Sequence, residues 1–283
     1  MTESAKLTVQ DILSLKNKRK ITMLTAYDYP TASLVDQAGI DMILVGDSLA
    51  NVVLGLDSTT KVGMMEMLHH SKAVTRAVKH ALVVGDMPFD SYQLDPGESA
   101  KNAARFIKEG LCDAVKLEWF AACPEATEEI IKSGIPVMGH IGLTPQTADK
   151  IGGFKVQGKD AQAAQRLIDQ ALLLERLGCF SLVLECVPDK ISELIAGKLR
   201  IPLIGIGAGA GCDGQVLVIN DMLGLFERYT PKFVKKYANL SPLILQAINE
   251  YKQEVVQGKF PAKEHTFSIK EDEMGKLKER QEG

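Results

Sequence analysis

Eight short, almost continuously apolar runs alternate with helix-patterned segments along a chain of 283 residues. This predicts an α/β fold: a (β/α)8, TIM-type barrel forming a single domain over residues 1–268. The length fits, because α/β barrels commonly close as one domain of about 250 residues. The runs lack the strict apolar–polar alternation of a half-solvated sheet, as expected of parallel strands covered on both faces. A doubly wound open sheet is the alternative that the same alternation allows.

The elements are expected in the following order. A short helix after Thr8, an N-cap residue type, should close the barrel bottom. Strands are expected at 21–26 (ITMLTA), 41–46 (DMILVG), 81–86 (ALVVGD) and 114–118 (AVKLE). Four more follow at 136–140 (PVMGH), 181–185 (SLVLE), 202–207 (PLIGIG) and 215–219 (QVLVI). Between them, 64–79 reads as a helix, and 98–109 as another with Gly110 at its C-cap. Residues 124–133 begin at Pro124 and stop at Gly134, the usual asymmetry of helix ends. Residues 160–177 run from Asp160 to Gly178 with Ala164, Leu167, Ile168, Ala171 and Leu174 on one face. Residues 208–213 (AGAGCD) are too few for a helix. Pro231 to Gln257 should supply one or two C-terminal helices, and the charged tail 269–283 is expected to be disordered.

Composition excludes several function classes. Lys and Arg total 33 against 36 Asp and Glu, a net charge of −3, so the chain has no electrostatic footprint for nucleic acid or anionic lipid. No apolar run reaches the roughly 18 residues of a membrane span, and the first residues lack the apolar core of a signal peptide. The five cysteines contain no C-x-x-C pair, fitting neither a disulfide framework nor a zinc site. They suit a cytoplasmic protein with reduced, mostly buried thiols.

In a barrel of this kind the chemistry sits at the C-terminal ends of the strands. Those ends carry Asp47 and Ser48, Asp86, Lys116 and Glu118, His140, and Glu185 with Cys186. Crowded carboxylates repel one another unless a cation lies among them, and oxygen ligands without cysteine or paired histidine suit Mg2+. Lys116 and Glu118 are two apart, so a strand turns both to the same side. Lys116 could hold an anion or, if neutral, form a Schiff base. A lone histidine at a strand end, such as His140, is more often a hydrogen-bonded core residue than a functional one, and His69-His70 should be exposed on a helix. The glycines at 205–211 lack the G-x-G-x-x-G spacing of a dinucleotide site and read as a tight loop after the seventh strand.

Several longer runs carry a resemblance: VGDSL (45–49), GDMPF (85–89), AVKLE (114–118), GHIGLTPQ (139–146), GGFKVQGKD (152–160), VLECVP (183–188) and IPLIGIGAG (201–209). With DGQVLV (213–218) and PKFVKKYANL (231–240), the sequence resembles the ketopantoate hydroxymethyltransferase family over about residues 5–268. The resemblance implies a barrel, a Mg2+ ion and a cytoplasmic homodecamer active in pantothenate biosynthesis. The implied reaction carries a one-carbon unit from 5,10-methylenetetrahydrofolate to the enolate of 3-methyl-2-oxobutanoate, giving 2-dehydropantoate. It also implies that Asp47 and Asp86 ligate the metal, with Glu118 completing the site directly or through water. Ser48 and Lys116 would hold the oxo acid's carboxylate, and Glu185 would be the general base. Trp119 and Phe120 stand where the family usually has two glycines, and Ala50 where it usually has one. Two other readings remain: a Mg2+-dependent carbon–carbon lyase or mutase of the phosphoenolpyruvate mutase and isocitrate lyase type, and a non-catalytic scaffold. Such lyases generally use a cysteine in a Lys-Lys-Cys-Gly-His loop, which none of these cysteines has.

Overall fold

The computed structural model describes residues 5–93, 95–147 and 155–281. Residues 152–154 of the GGFKVQGKD run lie outside the described residues. In order, the elements are α1 (Val9–Leu15), β1 (Ile21–Thr25), α2 (Tyr29–Gln37), β2 (Met42–Val45), α3 (Leu49–Val52), α4 (Met64–Ala77) and β3 (Leu82–Asp86). Then come α5 (Phe89–Tyr92), α6 (Pro96–Lys108), β4 (Ala114–Glu118), α7 (Cys123–Lys132), β5 (Val137–Gly142), α8 (Ala161–Leu177) and β6 (Ser181–Glu185). The chain finishes with α9 (Asp189–Lys198), β7 (Leu203–Ile206), β8 (Gly214–Leu217), α10 (Ile219–Met222), α11 (Leu240–Val256) and α12 (Glu271–Glu279).

The eight strands are parallel and close on themselves in sequence order. Pairing of β1 with β8, from Ile21 opposite Gly214 to Leu24 opposite Leu217, excludes the open sheet. All eight expected strands form within two residues of their expected bounds. Each strand's alternate residues serve two cores. Ile43, Val83, Val115, Val137, Leu182 and Leu203 face the helices. Met23, Met42, Leu82, Val84, Ala114, Met138, Val183 and Ile204 fill the barrel interior, with Ile12 of α1 packed among them. Thr8 and Asp11 form a reciprocal capping box that starts α1.

The strand starts share one fastening device. Asp41, Asp113 and Asp213 immediately precede β2, β4 and β8, and each accepts a backbone N–H from the preceding strand. The bonds are Thr22 N to Asp41 (2.8 Å), Val83 N to Asp113 (2.8 Å) and Leu203 N to Asp213 (2.9 Å). Each aspartate also pairs with a cation from the N-terminal segment: Arg19, Lys6 and Lys16 respectively. The bottom of the barrel is thereby tied to the chain's start.

Two C-terminal expectations need correction. Residues 231–239 form turns rather than helix, because Tyr237, Ala238 and Leu240 bond back to Met222 and Leu223. The tail expected to be disordered carries α12, whose residues are all exposed and whose acidic first turn and basic last turn suit the helix dipole. Among the described residues no helix is long and apolar enough to cross a membrane.

Burial would raise the Asp41 carboxyl, but bonds from Arg19 and Thr22 outweigh it and hold it below the ordinary carboxylate range. Asp41→Ala removes the acceptor of the part-buried Thr22 N–H and the partner of Arg19, and should cost about 1 kcal/mol at neutral pH. A group depressed on folding contributes fully above its unfolded value of about 3.9 and loses that contribution as pH falls through its native value. Denaturant midpoints should therefore separate wild type from variant between about pH 5 and 7, and converge only as pH falls below about 4 through the lowered native value. Equal midpoints at pH 7 would contradict this account.

Candidate active site

The interior parity that places Leu82 and Val84 inside continues to Asp86, and that of Ala114 continues to Lys116 and Glu118. Met138 leads in the same way to His140, and Val183 to Glu185. Strand register then fixes the neighbours: Asp86 lies opposite Lys116, and Glu118 opposite His140. These side chains, with Asp47 and Ser48 from the turn after β2, line one cavity of about 740 Å³ at the strand ends. The structure thus brings together all six residues singled out from the sequence, and adds His140.

Lys116 Nζ is 2.7 Å from Asp86 Oδ1. Asp86 Oδ2 accepts the backbone N–H of Asp47 at 3.1 Å, linking the two aspartates. Burial alone would depress the Lys116 ammonium, but Asp86, Glu118 and Asp47 outweigh it and hold it above the ordinary lysine range. A protonated amine is no nucleophile, so the Schiff-base reading loses its chemical basis. Burial pushes the Asp86 and Glu118 carboxyls up, and the negative charge of Asp47 adds to both.

His140 Nδ1 stands 3.4 Å from Glu118 Oε1, and Nε2 stands 3.2 Å from Glu185 Oε2. Burial and Lys116 both oppose a charge on the ring, yet the two carboxylates raise His140 to about 9. The ring stands between the two carboxylates, with Lys116 Nζ 3.3 Å from its Nδ1. His140 is therefore part of the site rather than a detached core residue. Glu185 keeps 14% of its side chain exposed and is the least enclosed of the four carboxylates.

Sequence reasoning missed Gln146 and Tyr27. Gln146 Nε2 donates to Asp47 Oδ2 (2.8 Å) and Met87 O (3.1 Å), while its backbone N–H donates to Glu118 Oε2 (3.0 Å). Tyr92 donates to its Oε1. Gln146 thus fixes two carboxylates, Asp47 through its side-chain amide and Glu118 through its backbone N–H. Its signal was a polar residue just past a strand end, within a run quoted for resemblance but given no role. Tyr27 OH bonds Ser48 Oγ at 2.8 Å, and His70 Nδ1 bonds the Tyr27 carbonyl at 2.6 Å. His70 is therefore half-buried and supports the site from behind, while His69 is exposed as expected.

The remaining sequence features have structural roles. Trp119 and Phe120 are partly buried against the helix-side core, with Phe120 edge-on to Tyr92. Gly207 adopts φ +63°, and a Cβ there would meet the Phe233 ring at 2.7 Å, so this glycine lets Phe233 close over the loop after β7. Cys186 lines the cavity, but burial, with Glu185 adding to it, pushes its thiol up to about 12.

The donor set has a definite chemical bias. Asp47, Asp86, Glu118 and Glu185 oppose only Lys116 and His140, an excess of negative charge in a largely buried mouth. Among the described residues no three His, Cys, Asp or Glu side chains converge as a metal cage. Glu118 is already tied to Gln146 and His140. A cation here would rest on the linked aspartates and take its other ligands from substrate oxygens and water, which is how Mg2+ is usually held.

A family model described as ketopantoate hydroxymethyltransferase matches residues 6–263. The 3-methyl-2-oxobutanoate hydroxymethyltransferase of Syntrophomonas wolfei is 57% identical over 262 residues, spanning 93% of this chain and 95% of that protein. The protein of the same name from Enterococcus faecalis is 56% identical over 263 residues, spanning 93% of this chain and 95% of that one. Among solved structures, a phosphonopyruvate hydrolase complexed with oxalate and Mg2+ matches with a TM-score of 0.59 at 14% identity, over 98% of this chain and 97% of that one. A 2,3-dimethylmalate lyase of the PEP mutase/isocitrate lyase superfamily matches equally, with a TM-score of 0.59 and 14% identity over 98% of this chain and 100% of that one. At such identities the likeness concerns the fold.

The ion pair at the centre of the site has a direct test. Lys116→Met leaves Asp86 buried without its cation and should cost about 3–5 kcal/mol of stability in metal-free protein. A denaturant midpoint unchanged from wild type would show that the pair does not carry the mouth.

Proposed function

This chain belongs to the ketopantoate hydroxymethyltransferase family, and we propose that it transfers a hydroxymethyl unit to 3-methyl-2-oxobutanoate. The proposed donor is 5,10-methylenetetrahydrofolate, with water supplying the hydroxyl oxygen. The product is 2-dehydropantoate, for pantothenate and coenzyme A biosynthesis. The observation that carries this reading is the joined pair of Asp47 and Asp86, with Lys116 Nζ 2.7 Å from Asp86 and Glu185 lining the same cavity.

Asp47 and Asp86 would hold Mg2+, with Glu118 acting on it through water. When bound, the ion supplies Lewis-acid stabilisation of negative charge on substrate oxygens. Lys116 and Ser48 hold the oxo acid's carboxylate, the ammonium by charge and the hydroxyl by a hydrogen bond. Tyr27 orients that hydroxyl. Glu185 takes the proton from C3, and the resulting enolate carbon bonds to the donor's methylene carbon, whose bonds to the two folate nitrogens are broken as water supplies the hydroxyl and tetrahydrofolate leaves. His140, gripped by Glu118 and Glu185, fixes the direction in which the base points. Gln146 keeps Asp47 and Glu118 apart while Lys116 sits between them and Asp86. No covalent bond to the protein is needed.

The lyase reading gains support only from the shared fold. Such lyases generally use a cysteine in a Lys-Lys-Cys-Gly-His loop, and the one cysteine lining this cavity, Cys186, stands in the run VLECVP instead. A homodecamer is proposed as the assembled form. It is supported by α11, whose Leu243, Leu245, Ile248, Tyr251 and Val256 are all exposed in the single chain. A cytoplasmic setting is supported by the five free cysteines.

The first chemical step needs no folate and can be isolated. With Mg2+ in D2O, the protein should exchange the C3 hydrogen of 3-methyl-2-oxobutanoate, followed by NMR. Glu185→Gln keeps size but removes the base, and exchange should fall about 10²-fold or more, with oxo-acid affinity little changed. Exchange at the wild-type rate would assign the base elsewhere, and joint loss of binding and exchange would make Glu185 a binding residue.

A further inference from the structure

The cavity has a second polar group that the proposed chemistry leaves unused. Asp221 lies on α10, directly after β8, and is only 8% exposed, yet it lines the cavity. Its carboxylate has no hydrogen-bond or ion-pair partner among the described residues, although its backbone is tied in by the bond from its N–H to Val218 O. The bond from Ile219 N to Thr25 Oγ1 (3.0 Å) anchors the start of α10 to β1 and fixes where Asp221 stands. A buried carboxylate without donors is costly, and the cost is recovered when a ligand brings them. Burial pushes this carboxyl up to about 6, with Lys236 pulling in the opposite direction.

The surroundings describe the ligand. Next to Asp221 the wall is apolar and aromatic, from Leu217, Val218, Phe226 and Phe233. Where the cavity meets solvent it is lined by the exposed cations Lys155, Arg228 and Lys232. A carboxylate inside, flat apolar walls, and cations outside match a planar heterocycle that presents neighbouring N–H donors at one end and carries an anionic tail at the other. Paired N–H donors match the two oxygens of a carboxylate in the same way as a guanidinium does.

We propose that Asp221 is the recognition group for the pterin head of the one-carbon donor, accepting its ring N–H and exocyclic amine, with the cationic outer part of the cavity receiving the donor's carboxylate tail. This rests on the folate reading above, and assigns to the same cavity a second subsite beside the oxo-acid subsite.

The test uses the full-length protein with Asp221→Asn, which keeps shape but replaces one acceptor oxygen with a donor. The KM for methylenetetrahydrofolate should rise about 10–100-fold, while the KM for 3-methyl-2-oxobutanoate stays within about twofold. Binding is read independently of turnover by isothermal titration calorimetry with 6-methyltetrahydropterin, which has the head but no tail. Its affinity should fall by a similar factor in the variant, and Asp221→Ala should behave alike. An unchanged pterin affinity, or wild-type protein that does not bind the pterin, overturns the proposal. A KM rise shared equally by the oxo acid also overturns it, placing Asp221 in the oxo-acid subsite. Wild-type protein that binds the pterin through Asp221 but exchanges no C3 hydrogen upholds the subsite and defeats the proposed reaction instead.

Discussion

Strand register in a closed barrel imposes the arrangement on which the rest of this molecule depends. Because β3, β4, β5 and β6 pair in sequence order, register sets Asp86 beside Lys116, Glu118 beside His140 and Glu185 beside Gly142, with all these side chains on the inner face. Asp86, Lys116, Glu118, His140 and Glu185 therefore meet in a mouth where water is scarce. Like charges so placed interact more strongly than in bulk solvent, and each needs a partner. Lys116 answers Asp86, and His140 stands between Glu118 and Glu185. Gln146 ties Asp47 to the backbone of Met87. What remains is an excess of negative oxygen around one small space, a setting that favours a hard cation and an anionic chelating substrate together over either alone.

The layers below the mouth explain how this concentration of charge is tolerated. Unpaired buried charges would pull the strands apart, so the interior beneath them is filled by Met42, Leu82, Met138, Val183 and Ile204, and sealed from below by Ile12. The aspartates before β2, β4 and β8 fasten the opposite end. Conservation of register at the bottom is what keeps register at the top, where a slip of one residue would turn Asp86, Lys116 and Glu118 toward the helices.

Much of this was legible in the sequence, and the reason is physical. A parallel strand buried on both faces leaves a dense apolar run, and residues two apart share a side, so the inward set at the strand ends could be named from spacing. Barrel closure was legible only through the number of strands and the chain length, since β1 and β8 are neighbours separated by nearly the whole chain and no local pattern encodes their contact. Gln146 and Tyr27 escaped because they act through other side chains, and only coordinates reveal that an amide reaches Asp47 and a phenol reaches Ser48. Asp221 escaped because α10 is a four-residue helix with no periodicity to read. Helix α12 was mistaken for a disordered tail because charge content was weighed above the order of the charges, acidic first and basic last.

The fold is shared with phosphonopyruvate hydrolase and 2,3-dimethylmalate lyase at identities near 14%, so the barrel alone does not select a reaction. Selection would come from what surrounds the aspartates: a carboxylate base at Glu185, a thiol kept neutral at Cys186 and a cavity long enough for a second substrate. The central claim is that Asp47 and Asp86 together create a divalent-cation site that the oxo acid completes. Anomalous diffraction from crystals of the protein grown with Mn2+ and 3-methyl-2-oxobutanoate tests it most directly. A single strong peak within ligand distance of both aspartate carboxylates, with oxo-acid oxygens completing its coordination, is the result this account predicts. A metal bound elsewhere, or the oxo acid seated in the cavity with no metal between it and the two aspartates, would contradict it.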